Sequence, residues 1–291
     1  MVDSASPETV KKVLFSGLDA LHDYLSDIVI VGGWVPQIYA WKENSPEITV
    51  HSNDVDAAVK AKLPLRGEKG IATTMEDAGF KVETSDSGFA LAAFGKKKLP
   101  TTRFFYRKGK LAIPFEFITP LFGKGEDDSV LIQSGLIAPA LRYTDILLDH
   151  TETVTLSGET LDGKKGRFTF KIPTLPAYVF AKGLIFVRRP TIDKKGKDLA
   201  YIYETLKKPE WRKKIIEGLP AVTAKHPAGW NRTFKKNLEQ AFATEGSTGP
   251  AWTALQYPGS AAAETRKETF EAFRAFLADL EAPLRSKGAD Q

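Results

Sequence analysis

Three acidic residues and a pair of glycines could do chemistry in this chain. Asp54 and Asp56 stand two apart in "SNDVDAAVK". In a strand, alternate side chains share a face, so both carboxylates would project to one side, about 7 Å apart along the chain. Oxygen donors so placed suit Mg²⁺ or Mn²⁺, which completes its shell with water and substrate phosphates. Polar alternation on a solvent-facing strand explains a bare D-x-D equally well. Gly32-Gly33 ends the apolar run "DIVIV" and precedes "WVPQIYAWK". A strand, a glycine turn and a helix aim backbone N–H groups at an anion, and glycine leaves room for a phosphate to approach. A turn that merely needs an unusual backbone angle would also use glycine. Glu116, in "LAIPFEFITP", falls on the opposite face from Phe115 and Phe117. A carboxylate in so apolar a strand is costly unless paired or metal-bound. It is a candidate third metal ligand or general base, or else an edge-strand residue facing water.

The second half contributes cations. Lys182 interrupts the apolar "LPAYVFAKGLIFV", so it must snorkel outward or reach an anion. Lys197-Asp198 reads as the opening of a helix whose Leu199, Ile202 and Leu206 pack inward. The helix dipole disfavours a cation at that end, so Lys197 calls for a phosphate or carboxylate partner. Arg188 and Arg189 are further candidates. From Lys182 to Lys214 there are 11 Lys or Arg against 4 Asp or Glu, a local excess of +7 against +5 for the whole chain. With a pI near 9.1, this suggests a polyanionic partner, although lysines at helix ends are often only solvated. Tyr201, Tyr203 and Trp211 lie among these cations and could stack bases.

The elements that must position these residues follow from periodicity and punctuation. Ser6-Pro7 reads as a cap with proline in the first turn, and apolar residues at helical spacing carry a first helix to about Leu25. Strands are expected over Asp27–Val31, over "DVDAAVK", and around Lys81–Thr84, Phe89–Phe94, Thr102–Tyr106 and Leu111–Ile118. A helix is expected over "GIATTMEDAGF". "TVTLSGETLDGKKGRFTFKI" reads as a hairpin turning at Asp162-Gly163. From Leu175 the pattern is helical, with loops near Pro190, Pro227 and Gly246–Gly259. A last helix carries Phe270, Phe273, Leu277, Leu280 and Leu284 on one face. The expected fold class is α+β, with a mixed-sheet domain over residues 1–173 and a mostly helical domain over 174–291.

Composition narrows the chemistry. The chain has 291 residues and no cysteine, which excludes disulfides, zinc–thiolate sites and cysteine nucleophiles. No signal peptide or membrane span is visible, so the cytoplasm is the expected compartment. His22, His51, His150 and His226 show no zinc-ligand spacing. "GETLDGKK" nearly spells a P-loop, but Lys165 stands where a hydroxyl belongs and a strand follows where a helix is required. A D-x-D glycosyltransferase needs neither the glycine turn nor the later Lys-Asp pair. A pure nucleic-acid binder leaves Asp54, Asp56 and Glu116 unexplained.

The order of glycine turn, D-x-D, strand carboxylate, helix lysine and K-D pair resembles the nucleotidyltransferase superfamily. It is most similar to the AbiEii-like toxin branch of type IV toxin–antitoxin systems, over residues 25 to 206. The resemblance implies a polymerase-β-like core that uses Mg²⁺ or Mn²⁺ to move a nucleoside monophosphate from an NTP to an acceptor. By that resemblance Asp54, Asp56 and Glu116 are catalytic and hold the metal. Gly32, Gly33, Lys182, Lys197 and Asp198 bind the nucleotide, and Thr174 to Lys182 covers the serine-to-lysine motif. The acceptor is expected to be RNA such as tRNA, or a protein, with an antitoxin as a further expected partner and no membrane. Trp34, His51, Asn53 and the run Ala200-Tyr201-Ile202 depart from the family pattern. A catalytically inactive nucleotide- or nucleic-acid-binding protein of the same fold is the alternative.

Overall fold

The computed structural model describes residues 6–85, 100–123, 128–257, 259 and 261–281. The fold is mixed α/β, with nine strands and ten α-helices among the described residues. The chain divides into two units, Met1–Thr174 and Leu175–Gln291.

In the first unit, helix α1 (Pro7–Ala20) starts where Ser6 accepts a hydrogen bond from the Thr9 N–H. It stops earlier than expected and gives way to a 3₁₀ turn at His22–Tyr24. Strand β1 (Ile28–Val31) is buried along its whole length and leads through Gly32-Gly33 into α2 (Trp34–Lys42). Then come β2 (Val55–Val59), α3 (Ile71–Asp77), β3 (Lys81–Ser85), β4 (Thr101–Lys108) and β5 (Leu111–Pro120). The strand expected at Phe89–Phe94 lies outside the described residues.

Two strands and a helix were not anticipated: β6 (Asp128–Gln133), β7 (Leu136–Leu141) and α4 (Thr144–Asp149). Gly135, at φ +77°, lies in the turn joining β6 to β7, and Thr102 Oγ1 donates to its carbonyl. The hairpin β8 (Thr151–Glu159) and β9 (Lys165–Pro173) turns where expected. Gly163 has φ +86° there, and the Thr160 hydroxyl accepts from the Lys164 N–H. The near-P-loop is therefore a tight turn.

The strands form one mixed sheet in the order β3-β4-β5-β2-β1-β9-β8, with β7 pairing β5 and β6. Strands β1 and β2 are antiparallel, while β2 and β5 run parallel. One face carries the aromatic core. Phe115 and Phe117 are fully buried there, Phe104 packs edge-on to Phe117, and Gly17 of α1 sits against the Phe115 ring. Burial of each such ring contributes about 1.5–3 kcal/mol. On the opposite face, Val29, Val31 and Ala58 form a second core with Ile118, Leu147 and Leu148, so α4 covers that part of the sheet. The rest of this face carries the site.

The second unit is helical: α5 (Leu175–Ile185), α6 (Ile192–Leu206), α7 (Pro209–Ala224), α8 (Ala228–Ala241), α9 (Thr248–Ala254) and α10 (Ala261–Glu281). Two expectations need correction. Helix α6 begins at Ile192, capped by Thr191, so Lys197-Asp198 lies in its second turn and does not open it. Gly196 is not a boundary but a point of close approach, since a Cβ there would overlap the Trp252 carbonyl oxygen. The loop expected across Gly246–Gly259 contains α9. In α10, Phe273 and Leu277 are buried as expected, joined by Phe276, while Leu284 lies outside the described residues.

Candidate functional site

Strand register builds the site. Val31 pairs with Asp56, Asp56 with Glu116, Glu116 with Arg103, and Arg103 with Glu83. In-register residues share a face, and neighbouring strands lie about 4.8 Å apart. Asp56 and Glu116 are thus side-by-side carboxylates, both only partly buried. Glu116 is opposite in facing to Phe115 and Phe117, as alternation requires, and its side chain is 24% exposed. Adjacent like charges are destabilising unless something offsets them. Arg103 does so in part: its Nε lies 3.0 Å from Glu116 Oε1.

The glycine turn closes the other side. Gly32 has φ +72°, and a Cβ on it would overlap Asp56 Oδ2. Gly33 is the N-cap of α2 and no side chain caps the first N–H groups of that helix, the end at which an anion is favoured. Trp34 does not crowd this turn. It is buried, and its Nε1–H donates to the Asp54 carbonyl oxygen at 2.8 Å, tying the start of α2 to the approach of β2. Gln37, on α2, is also buried, and neither of its amide atoms has a hydrogen-bond partner among the described residues.

Asp54 behaves differently from Asp56. It precedes β2, and its Oδ1 accepts a hydrogen bond from the Ser52 hydroxyl. Among the described residues no group of three or more His, Asp or Glu side chains is gathered for one metal ion. The register brings together Asp56 and Glu116, while Asp54 lies outside β2 and is held by Ser52.

In the second unit Lys182 reaches its anion within the same unit. Its Nζ lies 2.5 Å from Asp198 Oδ1, and Arg189 Nε lies 2.6 Å from Asp198 Oδ2. Lys182 also stands over the rings of Tyr178 and Tyr201, at 5.7 and 5.3 Å. Burial alone would raise the Asp198 pKa, but the charges of Lys182 and Arg189 hold it below the usual carboxylate value. Lys197 is half-buried on the same helix. Four of the basic residues nearby are engaged within the unit. Lys195 stands over Trp252, Lys207 pairs with the buried Glu204, Lys208 lies over Trp211, and Arg212 pairs with Asp279. Glu204 also accepts from Tyr257, whose pKa burial and then Glu204 push well up.

Sequence reasoning missed Arg103, and it singled out Trp34 only as a departure from the family pattern. Alternation in "TTRFF" was the available signal for Arg103, which must face away from the buried Thr102 and Phe104. No protein-family model and no curated protein matches the chain.

Proposed function

We propose that the first unit is the catalytic part of a metal-dependent nucleotidyltransferase, of the polymerase-β-like, AbiEii-like kind. One observation carries this: Asp56 and Glu116 are in-register, partly buried neighbours on one face of the sheet, with Gly32 held at positive φ against the Asp56 carboxylate. The donor set fits Mg²⁺ or Mn²⁺, because these are hard oxygen ligands and such ions are commonly held by one or two carboxylates plus substrate phosphates. Asp56 and Glu116 would hold the ion, with Asp54 joining them on leaving Ser52. Bound there, the metal would neutralise charge on the triphosphate and polarise the reacting phosphoryl group.

The residues of the chain do the rest. Gly32 leaves room for the Asp56 carboxylate beside the turn, and phosphate oxygens would meet the N–H groups that follow Gly33 at the start of α2. Trp34 fixes the spacing between that helix start and the carboxylates. The acceptor hydroxyl attacks the α-phosphorus, the bond to the bridging oxygen breaks, and pyrophosphate leaves. A carboxylate of the row takes the hydroxyl proton. The acceptor is RNA or protein. Lys182, Lys197 and Asp198 are not needed for this proposal, since the Lys182–Asp198 pair already accounts for the lysine in an apolar helix.

A protein of the same fold that binds nucleotide without transferring it is favoured by one observation, the engagement of Asp54 by Ser52. Incubation with each α-labelled NTP, Mg²⁺ and either bulk tRNA or cell protein separates the two. Label on an acceptor, lost in Asp56→Asn, supports transfer. NTP binding with no labelled acceptor leaves only the binding protein.

A further inference from the structure

We infer that Arg103 is a substrate-positioning residue that exchanges partners, giving up Glu116 to a divalent cation and passing to the substrate's phosphates. This rests on the nucleotidyltransferase proposal and adds a residue to it. The row across the sheet reads Asp56, Glu116, Arg103, Glu83, one residue per strand and all on one face. Glu83 is already paired with Arg107, so the Arg103 guanidinium turns to Glu116. Its side chain is 47% exposed, so it can move without unpacking the core.

Charge gives the direction of the exchange. Asp56, Glu116 and Arg103 together carry −1. A divalent cation between the two carboxylates brings the total to +1, and Glu116 no longer needs Arg103. The guanidinium is then a strong donor with a polyphosphate as the nearest anion to gain. Its planar fork of N–H groups matches phosphate oxygens two at a time, which a lysine ammonium cannot do. Before the cation arrives, the same guanidinium competes with it for Glu116.

The competition predicts changes of opposite sign in one variant. In the full chain, Arg103→Gln should bind Mn²⁺ alone about three- to five-fold more tightly than wild type, the range expected for losing one part-exposed ion pair. The same variant should bind α,β-methylene NTPs in the presence of Mn²⁺ at least about ten-fold more weakly, from loss of charged hydrogen bonds. Titration of Mn²⁺ by electron paramagnetic resonance gives the first number, and calorimetry with the ATP, GTP, CTP and UTP analogues in turn gives the second. Arg103→Lys keeps the charge and loses the fork, so Mn²⁺ affinity should return to the wild-type value while analogue binding recovers only in part. Equal melting temperatures would show that both variants fold. If both affinities move the same way in Arg103→Gln, or neither moves, Arg103 is a structural partner of Glu116 and the inference fails while the metal site stands. If wild type binds neither Mn²⁺ nor any analogue, the site itself is wrong and the inference falls with it.

Discussion

A side chain at position 32 and the carboxylate of Asp56 cannot both occupy the space between β1 and β2. A Cβ on Gly32 would overlap Asp56 Oδ2 and stand 3.0 Å from its Cγ. Gly32 also sits at φ +72°, which L residues rarely adopt. The glycine is thus required twice, by the turn and by its neighbour.

Gly32→Ala should therefore do two things. Forcing a non-glycine residue into the left-handed region costs about 1–2 kcal/mol, and displacement of Asp56 adds to it. Urea unfolding should show at least that loss, and Mn²⁺ binding should weaken even under conditions where the variant is fully folded. Retained Mn²⁺ affinity in a folded Gly32→Ala would mean that Asp56 is not a ligand.

Asp56→Asn and Glu116→Gln should each abolish cation binding with only a small change in stability, since each removes one of two adjacent like charges and Glu116→Gln also gives up the part-exposed pair with Arg103. Asp54→Asn should weaken the cation less. Ser52→Ala frees the Asp54 carboxylate, and a modest gain in Mn²⁺ affinity is expected. A stability loss in Asp56→Asn comparable to that in Gly32→Ala would show that Asp56 has a structural role instead.

The fold was legible in part, and the site less so. Apolar alternation marked β5 and helical spacing marked α1, because these are local patterns. Register is not local: nothing in "DVDAAV" or "PFEF" says that Asp56 and Glu116 lie side by side. Arg103 was hidden for the same reason. The hairpin of β6 and β7 was missed because Pro139 interrupts the second strand. The start of α6 was misplaced at Lys197-Asp198, because Gly196 stands inside the helix, where it admits the Trp252 carbonyl. Lys182 demanded an anion, and the sequence could not say that Asp198, one helix away, supplies it.

The buried ion pair carries a pH signature. Asp198 has a depressed pKa in the folded state, so it contributes stability that is present above its unfolded value and lost as pH falls through the folded one. Stability of the helical unit should be flat near neutrality and decline below about pH 4, from the ordinary aspartate value. Asp198→Asn should cost about 3–5 kcal/mol at pH 7, because it leaves Lys182 and Arg189 without their anion. It should also remove this unit's share of the acid decline. Lys182→Met with Asp198→Leu should recover much of the loss. An Asp198→Asn variant as stable as wild type would refute the assignment.

The basic stretch from Lys194 to Lys214 is smaller as an RNA surface than its count suggests. Lys195, Lys207, Lys208 and Arg212, four of the eight cations there, are already engaged within the unit. With four of the eight engaged, single-strand phosphate contacts there number at most four, a log-affinity slope against log salt of about −3. Filter binding of tRNA over a salt series should give a slope no steeper than this from the helical stretch, and Lys213→Ala with Lys214→Ala should flatten it. A slope that the double variant leaves unchanged would move any RNA contact elsewhere on the chain.

The most direct test of the central claim is transfer of α-labelled NTP by wild type and by Asp56→Asn, with Mn²⁺ binding measured on the same preparations. Label on tRNA or protein that requires Mg²⁺ or Mn²⁺, together with loss of both transfer and Mn²⁺ binding in Asp56→Asn, is the result expected. Undiminished transfer by Asp56→Asn, or no Mn²⁺ binding and no transfer by wild type with any of the four NTPs, would contradict it.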